Sequence, residues 1–183
     1  MNKTIAIAFF ITLTLGVSKL AHAQSSPVRI DLEIDPTAYA LGGYSVHIGV
    51  GSGRLRVDFG MYGLDVPRFA HGNRDFDVSF DGAGARLQWF RSAEQSGPFA
   101  DVSVGITRKR IQLTGSDAYT RKNVFGTGID FGWRFALPAG FYVTPWAGVE
   151  YDFGVDDFVL GGRTYRDRSI SPFAAVHIGY RFR

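Results

Sequence analysis

The chain has 183 residues, 23 glycines, no cysteine and an aromatic content of 15%. The length fits one domain, and the absence of cysteine excludes a fold that depends on disulfides. Without residues 1–23, which contain Lys3, Lys19 and no acidic residue, 18 basic residues stand against 17 acidic ones. This near-neutral balance does not indicate a nucleic-acid partner, and we expect none.

Residues 1–23 have the features of a signal peptide. Lys3 supplies the positive charge, residues 5–17 form an apolar run, and Ala21-His22-Ala23 is an A-x-A cleavage site. The run is too short to span a bilayer, and no cysteine follows it that could carry a lipid anchor. We therefore expect an exported protein whose mature domain, 24–183, begins at Gln24.

The remainder of the chain alternates apolar and polar residues with a period of two, which predicts eight strands. In chain order they cover residues 27–35, 38–50, 54–62, 74–90, 98–107, 123–135, 140–153 and 170–182. One face of every strand is free of charge. In the fourth strand this face holds Phe76, Val78 and Phe80, and it continues at Ala83 after a slip of phase near Asp81-Gly82.

The opposite face of each strand is rich in charge and glycine, and two architectures fit this pattern. A soluble periplasmic lipocalin-like binder would turn the apolar face inward, whereas an outer-membrane barrel turns it outward. Aromatic residues at the ends of the apolar rows favour the membrane barrel, as does glycine on the charged face, where a narrow lumen needs room. We therefore favour the membrane barrel.

The lengths of the connections orient this barrel. Three connections are short, as expected for periplasmic turns: 51–53, 91–97 and 136–139. Three others are long, as expected for external loops: 63–73, 108–122 and 154–169. The connection at 36–37 must then be a very short external loop. The predicted fold is all-β: an eight-stranded antiparallel up-and-down transmembrane β-barrel in the outer membrane, with both termini on the periplasmic side.

The last strand ends on alternating apolar and aromatic residues, Ile178, Tyr180 and Phe182, with Gly179 between the first two. This ending resembles the closing strand of the OmpA/OmpX-type small outer-membrane β-barrels. The resemblance implies that these four residues form the signal that the barrel-assembly machinery recognises. Arg183, which follows the phenylalanine, departs from that pattern. The resemblance implies a fold and a location, but no activity.

The lumen of an eight-stranded barrel is just wide enough for side chains to fill, so we expect its charged residues to pair with one another. The arrangement of charge along the strands also suggests basic residues near the periplasmic end and acidic ones near the external end. A narrow cation-preferring channel is therefore an alternative. The predicted lumen charge network contains Arg29, Glu33, Arg54, Arg56, Asp58, Arg86, Asp101, Asp130, Arg134, Glu150, Asp152, His177 and Arg181.

Basic residues also flank the predicted 108–122 loop, where we expect contact with the phosphates of lipopolysaccharide. They are Arg108, Lys109, Arg110, Arg121 and Lys122. No short motif links a serine to the inward His47 or His177, and no cluster of histidine and cysteine indicates a metal. We therefore expect a monomeric barrel with a structural or surface-interaction role, without catalytic residues or cofactor.

Overall fold

The computed structural model describes residues 26–182, and the predicted signal peptide, Gln24 and Arg183 lie outside them. Eight strands of the described residues pair in chain order, and the first pairs with the last to close an antiparallel barrel. The predicted fold class is confirmed. The strands are β1 (Arg29–Ile34), β2 (Tyr44–Ser52), β3 (Leu55–Val66), β4 (Phe76–Phe90), β5 (Gly97–Leu113), β6 (Tyr119–Ala136), β7 (Phe141–Phe153), the short β8 (Phe158–Leu160) and β9 (Arg163–Tyr165), which form a separate hairpin, and β10 (Ile170–Arg181).

Apolar side chains point outward along the membrane part of each strand. Charged and small side chains point into the lumen, together with a few aromatic ones such as Phe90, Tyr142 and Trp146. On β6, Ile129 is 57% exposed on the outer wall, whereas the adjacent Asp130 is 5% exposed inside. Successive side chains of a strand lie on opposite sides of the sheet, so the period of two in the sequence becomes an apolar exterior. This arrangement is that of a membrane barrel, and not that of a soluble one.

Aromatic side chains form two bands on the outer wall. Near the termini, Tyr180 packs against Phe141 and Phe182, with ring centroids 5.0 and 5.2 Å apart. At the other end, Phe153 packs against Tyr151 with a centroid distance of 4.8 Å. Aromatic side chains favour the two interfaces of a bilayer, so these bands mark its borders. The end with the short turns, where the described residues begin and end, corresponds to the periplasmic end of such barrels.

The predicted phase slip in β4 does not occur. Asp81 and Gly82 pair in uninterrupted register with both neighbouring strands, so one alternation runs through the whole strand. Phe76 and Val78 are consequently buried on the inside, and Phe80 faces the same way. The prediction that these three residues face lipid is wrong, because this part of β4 lies beyond the external border of the apolar belt.

A small hydrophobic core closes over that external end of the barrel. Phe76 and Ile111 pack there with Tyr165 of the β8–β9 hairpin, and Phe158 and Leu160 of the same hairpin pack against this cluster. Burial in this core raises the pKa of the Tyr165 hydroxyl to about 12. Beyond the bilayer, an apolar interior is thus covered by external loops.

Two external connections contain short helices, α1 (Pro36–Ala40) and α2 (Arg68–His71). The side chain of Asp35 caps α1 by accepting the backbone N–H of Thr37 at 2.8 Å, with proline at the first position. The predicted loop at 36–37 is therefore longer, and the second strand begins at Tyr44 instead of residue 38. In the described part of the chain, neither helix has the length or hydropathy needed to cross a membrane.

Strands β5 and β6 continue well past their predicted ends. Their pairing runs without a break from Gly97 opposite Arg134 to Gln112 opposite Tyr119. Most of the predicted 108–122 loop is therefore a two-stranded extension, and only residues 114–118 connect the strands.

We expect a charge on the lipid-facing wall to destabilise the barrel in a bilayer. Ile129→Arg places a cation near the middle of the apolar belt and should lower the free energy of unfolding by about 2–4 kcal/mol. Val159→Arg, in the exposed β8 strand, is the matched control and should change it by less than about 0.5 kcal/mol. Urea unfolding in lipid vesicles measures both, and equal effects would contradict a lipid-facing Ile129.

Candidate functional site

Glycines on the lumen face give the large side chains their space. A Cβ at Gly49 would collide with the Arg56 guanidinium, and a Cβ at Gly179 would collide with the Tyr142 ring. Each of these large side chains thus lies flat against the backbone of a neighbouring strand. The glycine-rich lumen face therefore accommodates bulky side chains that bind one another.

Arg56 is the centre of the charge network in the periplasmic half of the lumen, and its side chain has no exposed surface. Its Nη2 lies 2.5 Å from Oδ1 of Asp31, 2.9 Å from Oε1 of Glu33 and 3.0 Å from Oδ1 of Asp58. Its Nη1 donates to Oε1 of Gln88 at 2.5 Å. One guanidinium therefore bridges carboxylates from β1 and β3 and an amide from β4.

Arg134 extends the network to β6 and β7. Its Nη2 donates to Oε1 of Glu33 at 2.6 Å, and the Tyr142 hydroxyl donates to the same oxygen at 2.9 Å. The guanidinium carbon lies 4.8 and 4.2 Å from the ring centroids of Phe90 and Tyr142. Cation–π contacts with two rings add to the ion pairs that neutralise this buried arginine.

Two buried histidines complete the network on its external side. His177 Nδ1 lies 2.9 Å from Oε2 of Glu33, and His47 Nδ1 lies 2.9 Å from Oδ2 of Asp58. The two imidazole centroids are 4.7 Å apart. Each histidine therefore joins a carboxylate that an arginine also binds.

His47 also lies 3.1 Å from the Ser45 hydroxyl through Nε2, which gives the order of a Ser-His-Asp triad. The sequence pattern did not suggest this link. The Ser45 hydroxyl accepts the backbone N–H of Asp35 at 3.2 Å, and the residue is only 2% exposed. Asp58 in turn is bound by Arg56. The serine is thus a buried member of a hydrogen-bond chain.

The periplasmic mouth of the lumen is covered by the turn between β4 and β5. Gln95 of this turn is fully buried, and its Nε2 donates to the carbonyl of Leu55 at 2.9 Å. Arg181 donates to Oε1 of Gln95 at 3.3 Å and lies 3.5 Å from Oδ2 of Asp31. Arg29 donates to the carbonyl of Ala93 in the same turn.

Arg54 is not a member of the lumen network. It lies in the exposed two-residue turn that joins β2 to β3. The alternation of the strands does not apply to Arg54, because a turn residue belongs to neither face of the sheet.

The external half of the lumen contains a cavity of about 490 Å³. The guanidinium carbon of Arg86 lies 3.8 Å from the Trp146 ring centroid, and within residues 26–182 it has no carboxylate oxygen within 4.0 Å. Asp152 is bound by Lys109 at 2.5 Å. Glu150 lines the cavity between these groups.

Asp101 and Asp130 occupy directly opposite positions of β5 and β6, and both are buried. Asp101 accepts the Gln88 amide at 3.1 Å, which connects this pair to Arg56. Both were predicted lumen residues, but neither has an arginine nitrogen within 4.0 Å in the described part of the chain. Their link to the network is the neutral Gln88.

The expected separation of basic and acidic residues along the lumen does not occur. Asp31, Glu33 and Asp58 lie among the arginines of the periplasmic half. Asp77, in the external part of β4, faces outward and binds Arg68 at 2.7 Å. Because neighbouring strands are staggered, residues at different distances from their strand ends lie at the same height in the barrel. The sequence does not specify that stagger.

Several members of the network were not among the predicted site residues. Asp31 has the right position in the alternation, and Tyr142 lies between the outward Phe141 and Val143. Position on the strand is the signal that identifies the members on strands, whereas Gln95 lies in the turn between β4 and β5 and follows no alternation. The polar residues that were missed are Asp31, Gln88, Gln95, Tyr142 and Thr144.

The five basic residues predicted to contact lipopolysaccharide divide between the two faces. Arg108, Arg110 and Arg121 are exposed on the outer wall. Lys109 faces inward to Asp152, and Lys122 donates to the carbonyl of Asp156 at 2.9 Å. The two lysines are therefore unsuited to a contact on the outer wall, and the expectation is corrected for them.

The predicted assembly signal lies on the closing strand. Ile178, Tyr180 and Phe182 face outward, and Gly179 faces the lumen under the Tyr142 ring. Recognition by the assembly machinery stays a prediction. Within residues 26–182, no group of three or more acidic, histidine or cysteine side chains is arranged to hold a metal ion.

This chain is similar to several solved structures. Neisserial surface protein A is 16% identical, with a TM-score of 0.50, and the match covers 84% of this chain and 94% of that one. A major outer membrane protein from Thermus thermophilus is 11% identical, with a TM-score of 0.55, over 85% of this chain and all of that one (100%). This chain has the fold of a small outer-membrane β-barrel. No family model and no curated protein matches it.

Removing Arg56 should destabilise the barrel strongly. Arg56→Met leaves Asp31, Glu33 and Asp58 crowded without their shared cation, and we expect a loss of about 3–5 kcal/mol. Arg54→Met, in the exposed turn two residues earlier, should change stability by less than about 0.5 kcal/mol. Denaturant unfolding of both variants in the same vesicles measures the difference. Equal stabilities would contradict the central role of Arg56.

Proposed function

We propose that the protein is a non-enzymatic barrel of the outer membrane with a closed lumen and a structural or surface-interaction role. The observation that carries this proposal is the buried network around Arg56 and Arg134. Their guanidinium groups bind carboxylates at 2.5–3.0 Å and fill the periplasmic half of the lumen together with aromatic rings. The apolar outer wall supports the membrane location.

The network supports a closed lumen on energetic grounds. An ion that passed this level would have to separate buried ion pairs, and losing one partner of such a pair costs about 3–5 kcal/mol. Gln95 and Arg181 would also have to leave the periplasmic mouth. The cavity at the external end would then be a vestibule that does not continue across the membrane.

The external loops support a surface-interaction role. Phe69 in α2 is 90% exposed, and Val159 in β8 is 68% exposed. Both lie beyond the bilayer border, where lipid does not cover them. Exposed apolar side chains on such loops are suited to contact with another macromolecule.

The location and the closed lumen can be tested on one preparation. After cell fractionation we expect recovery in the outer membrane, with a folded form whose gel mobility changes on boiling. Planar bilayers containing this material should show no unitary current steps. Recovery in the soluble periplasm would instead favour a lipocalin-like binder.

Unitary steps with cation preference would favour the narrow channel. In that case Glu150→Gln with Asp152→Asn should reduce the preference, since both carboxylates line the external cavity. Steps that the double substitution left unchanged would still contradict a closed lumen, but would place the selective residues elsewhere.

The Ser45-His47-Asp58 chain provides a test of the non-enzymatic proposal. A catalytic serine activated by histidine reacts with a fluorophosphonate probe, whereas we expect the buried Ser45 to remain unlabelled in the folded barrel. Ser103, another lumen-facing serine, is the control, and S45A and S103A should both match the unsubstituted protein. Labelling that is lost in S45A and retained in S103A would contradict the proposal.

A further inference from the structure

The outer wall carries an arginine cluster just beyond the external border of the apolar belt. The last apolar row on this side crosses β4, β5 and β6 at Ala83, Ile106 and Phe125. The cross-strand register then defines two further rows toward the outside. The first holds Asp81, Arg108 and Asn123, and the second holds Ser79, Arg110 and Arg121.

The height of these rows corresponds to the headgroup region of a bilayer. Consecutive outward residues are about 6.7 Å apart along a strand, and the strands of such barrels tilt by about 40°. Arg108 therefore lies about 5 Å above the row of Ile106, and Arg110 about 10 Å above it. Both side chains can lay their apolar stems along the wall and hold their guanidinium groups among phosphates.

Arg110 and Arg121 carry positive charge that the protein does not neutralise. They occupy directly opposite positions of β5 and β6, where like charges repel. Arg108 is bound to Asp81 at 3.0 Å. Within the described residues, neither Arg110 nor Arg121 has a carboxylate oxygen within 4.0 Å. An anion bound between them would relieve this repulsion.

Tyr119 holds the two guanidinium groups on the same side of the wall. Their carbon atoms lie 4.7 Å (Arg110) and 5.2 Å (Arg121) from its ring centroid. A surface depression of about 290 Å³ lies beside them, lined by all three arginines of the cluster and by Asp81. The three guanidinium groups of the cluster thus border one depression.

We propose that Arg110 and Arg121, assisted by Arg108, bind a phosphate group of lipopolysaccharide in the outer leaflet. Guanidinium groups match phosphate oxygens with paired hydrogen bonds. Asp81, the carboxylate that lines the depression, is bound to Arg108 and leaves Arg110 and Arg121 without an ion-pair partner among the described residues. The lipid source follows from the position, because the acyl chains of the same molecule would lie on Ile106 and Phe125 directly below. The inference rests on the outer-membrane placement proposed above.

The test is a titration of the refolded, detergent-solubilised protein with lipopolysaccharide, followed by native electrophoresis. The double variant R110Q/R121Q should bind at least about tenfold more weakly, because it loses both unneutralised guanidinium groups. The matched control R54Q/R91Q removes two exposed arginines from the periplasmic end and should retain the affinity within about twofold. The single variant R121Q keeps Arg110, so its affinity for lipopolysaccharide should lie between those of the unsubstituted protein and R110Q/R121Q. It replaces the double variant in the test if the double variant does not fold.

Dephosphorylated lipopolysaccharide identifies the group that is bound. It should bind the unsubstituted protein about as weakly as the intact lipid binds R110Q/R121Q. Equal weakening in both double variants, unchanged affinity in R110Q/R121Q, or tight binding of the dephosphorylated lipid would each overturn the proposal. Fractionation and boiling-dependent mobility are measured separately, so a failure of the outer-membrane placement is distinguished from a failure of this site.

Discussion

Closure of the sheet between β1 and β10 is the constraint on which the rest of the barrel depends. An open edge in lipid would leave backbone groups without partners, at several kcal/mol each. Yet β1 has six residues and pairs with β10 over four registered positions. The same strand supplies Asp31 and Glu33, whose carboxylates bind arginines of β3, β6 and β10. The lumen network thus ties the closing strand to the far wall, and closure in turn keeps those charges away from lipid.

The two faces of the barrel exchange roles at the external border of the bilayer. At membrane depth the outside is apolar and the inside is charged, whereas beyond it Phe76 and Ile111 are buried inside and Arg110 and Arg121 are exposed outside. The strands β4, β5 and β6 continue through both regions without a change of register. The same inward–outward alternation of side chains therefore continues on both sides of the bilayer border. The polarity of the two faces reverses there, because the medium outside the wall changes from lipid to water.

This exchange explains which features the sequence could predict. The period of two identifies the eight strands and their inward positions, since every strand at membrane depth must present an apolar face. It does not show where the bilayer ends, so the apolar Phe76 and Val78 resemble lipid-facing residues in the sequence although they are buried inside the barrel. The sequence also does not show which lumen residues form ion pairs or hydrogen bonds with one another. Glu33 binds Arg134 and His177, which lie 101 and 144 residues away, and only the diameter and stagger of the closed barrel bring them together.

The glycines of the lumen have a consequence for how this interior can change over evolution. Gly49 lies beneath Arg56, Gly60 beneath His47 and Gly179 beneath Tyr142, each without room for one more carbon atom. A larger residue at such a position is tolerated only if its partner becomes smaller, so the two sites must be replaced in a coordinated way. Related barrels should therefore show correlated exchanges across adjacent strands. Substitutions in the lumen therefore have to occur in pairs, whereas residues of the lipid-facing wall can be replaced one at a time.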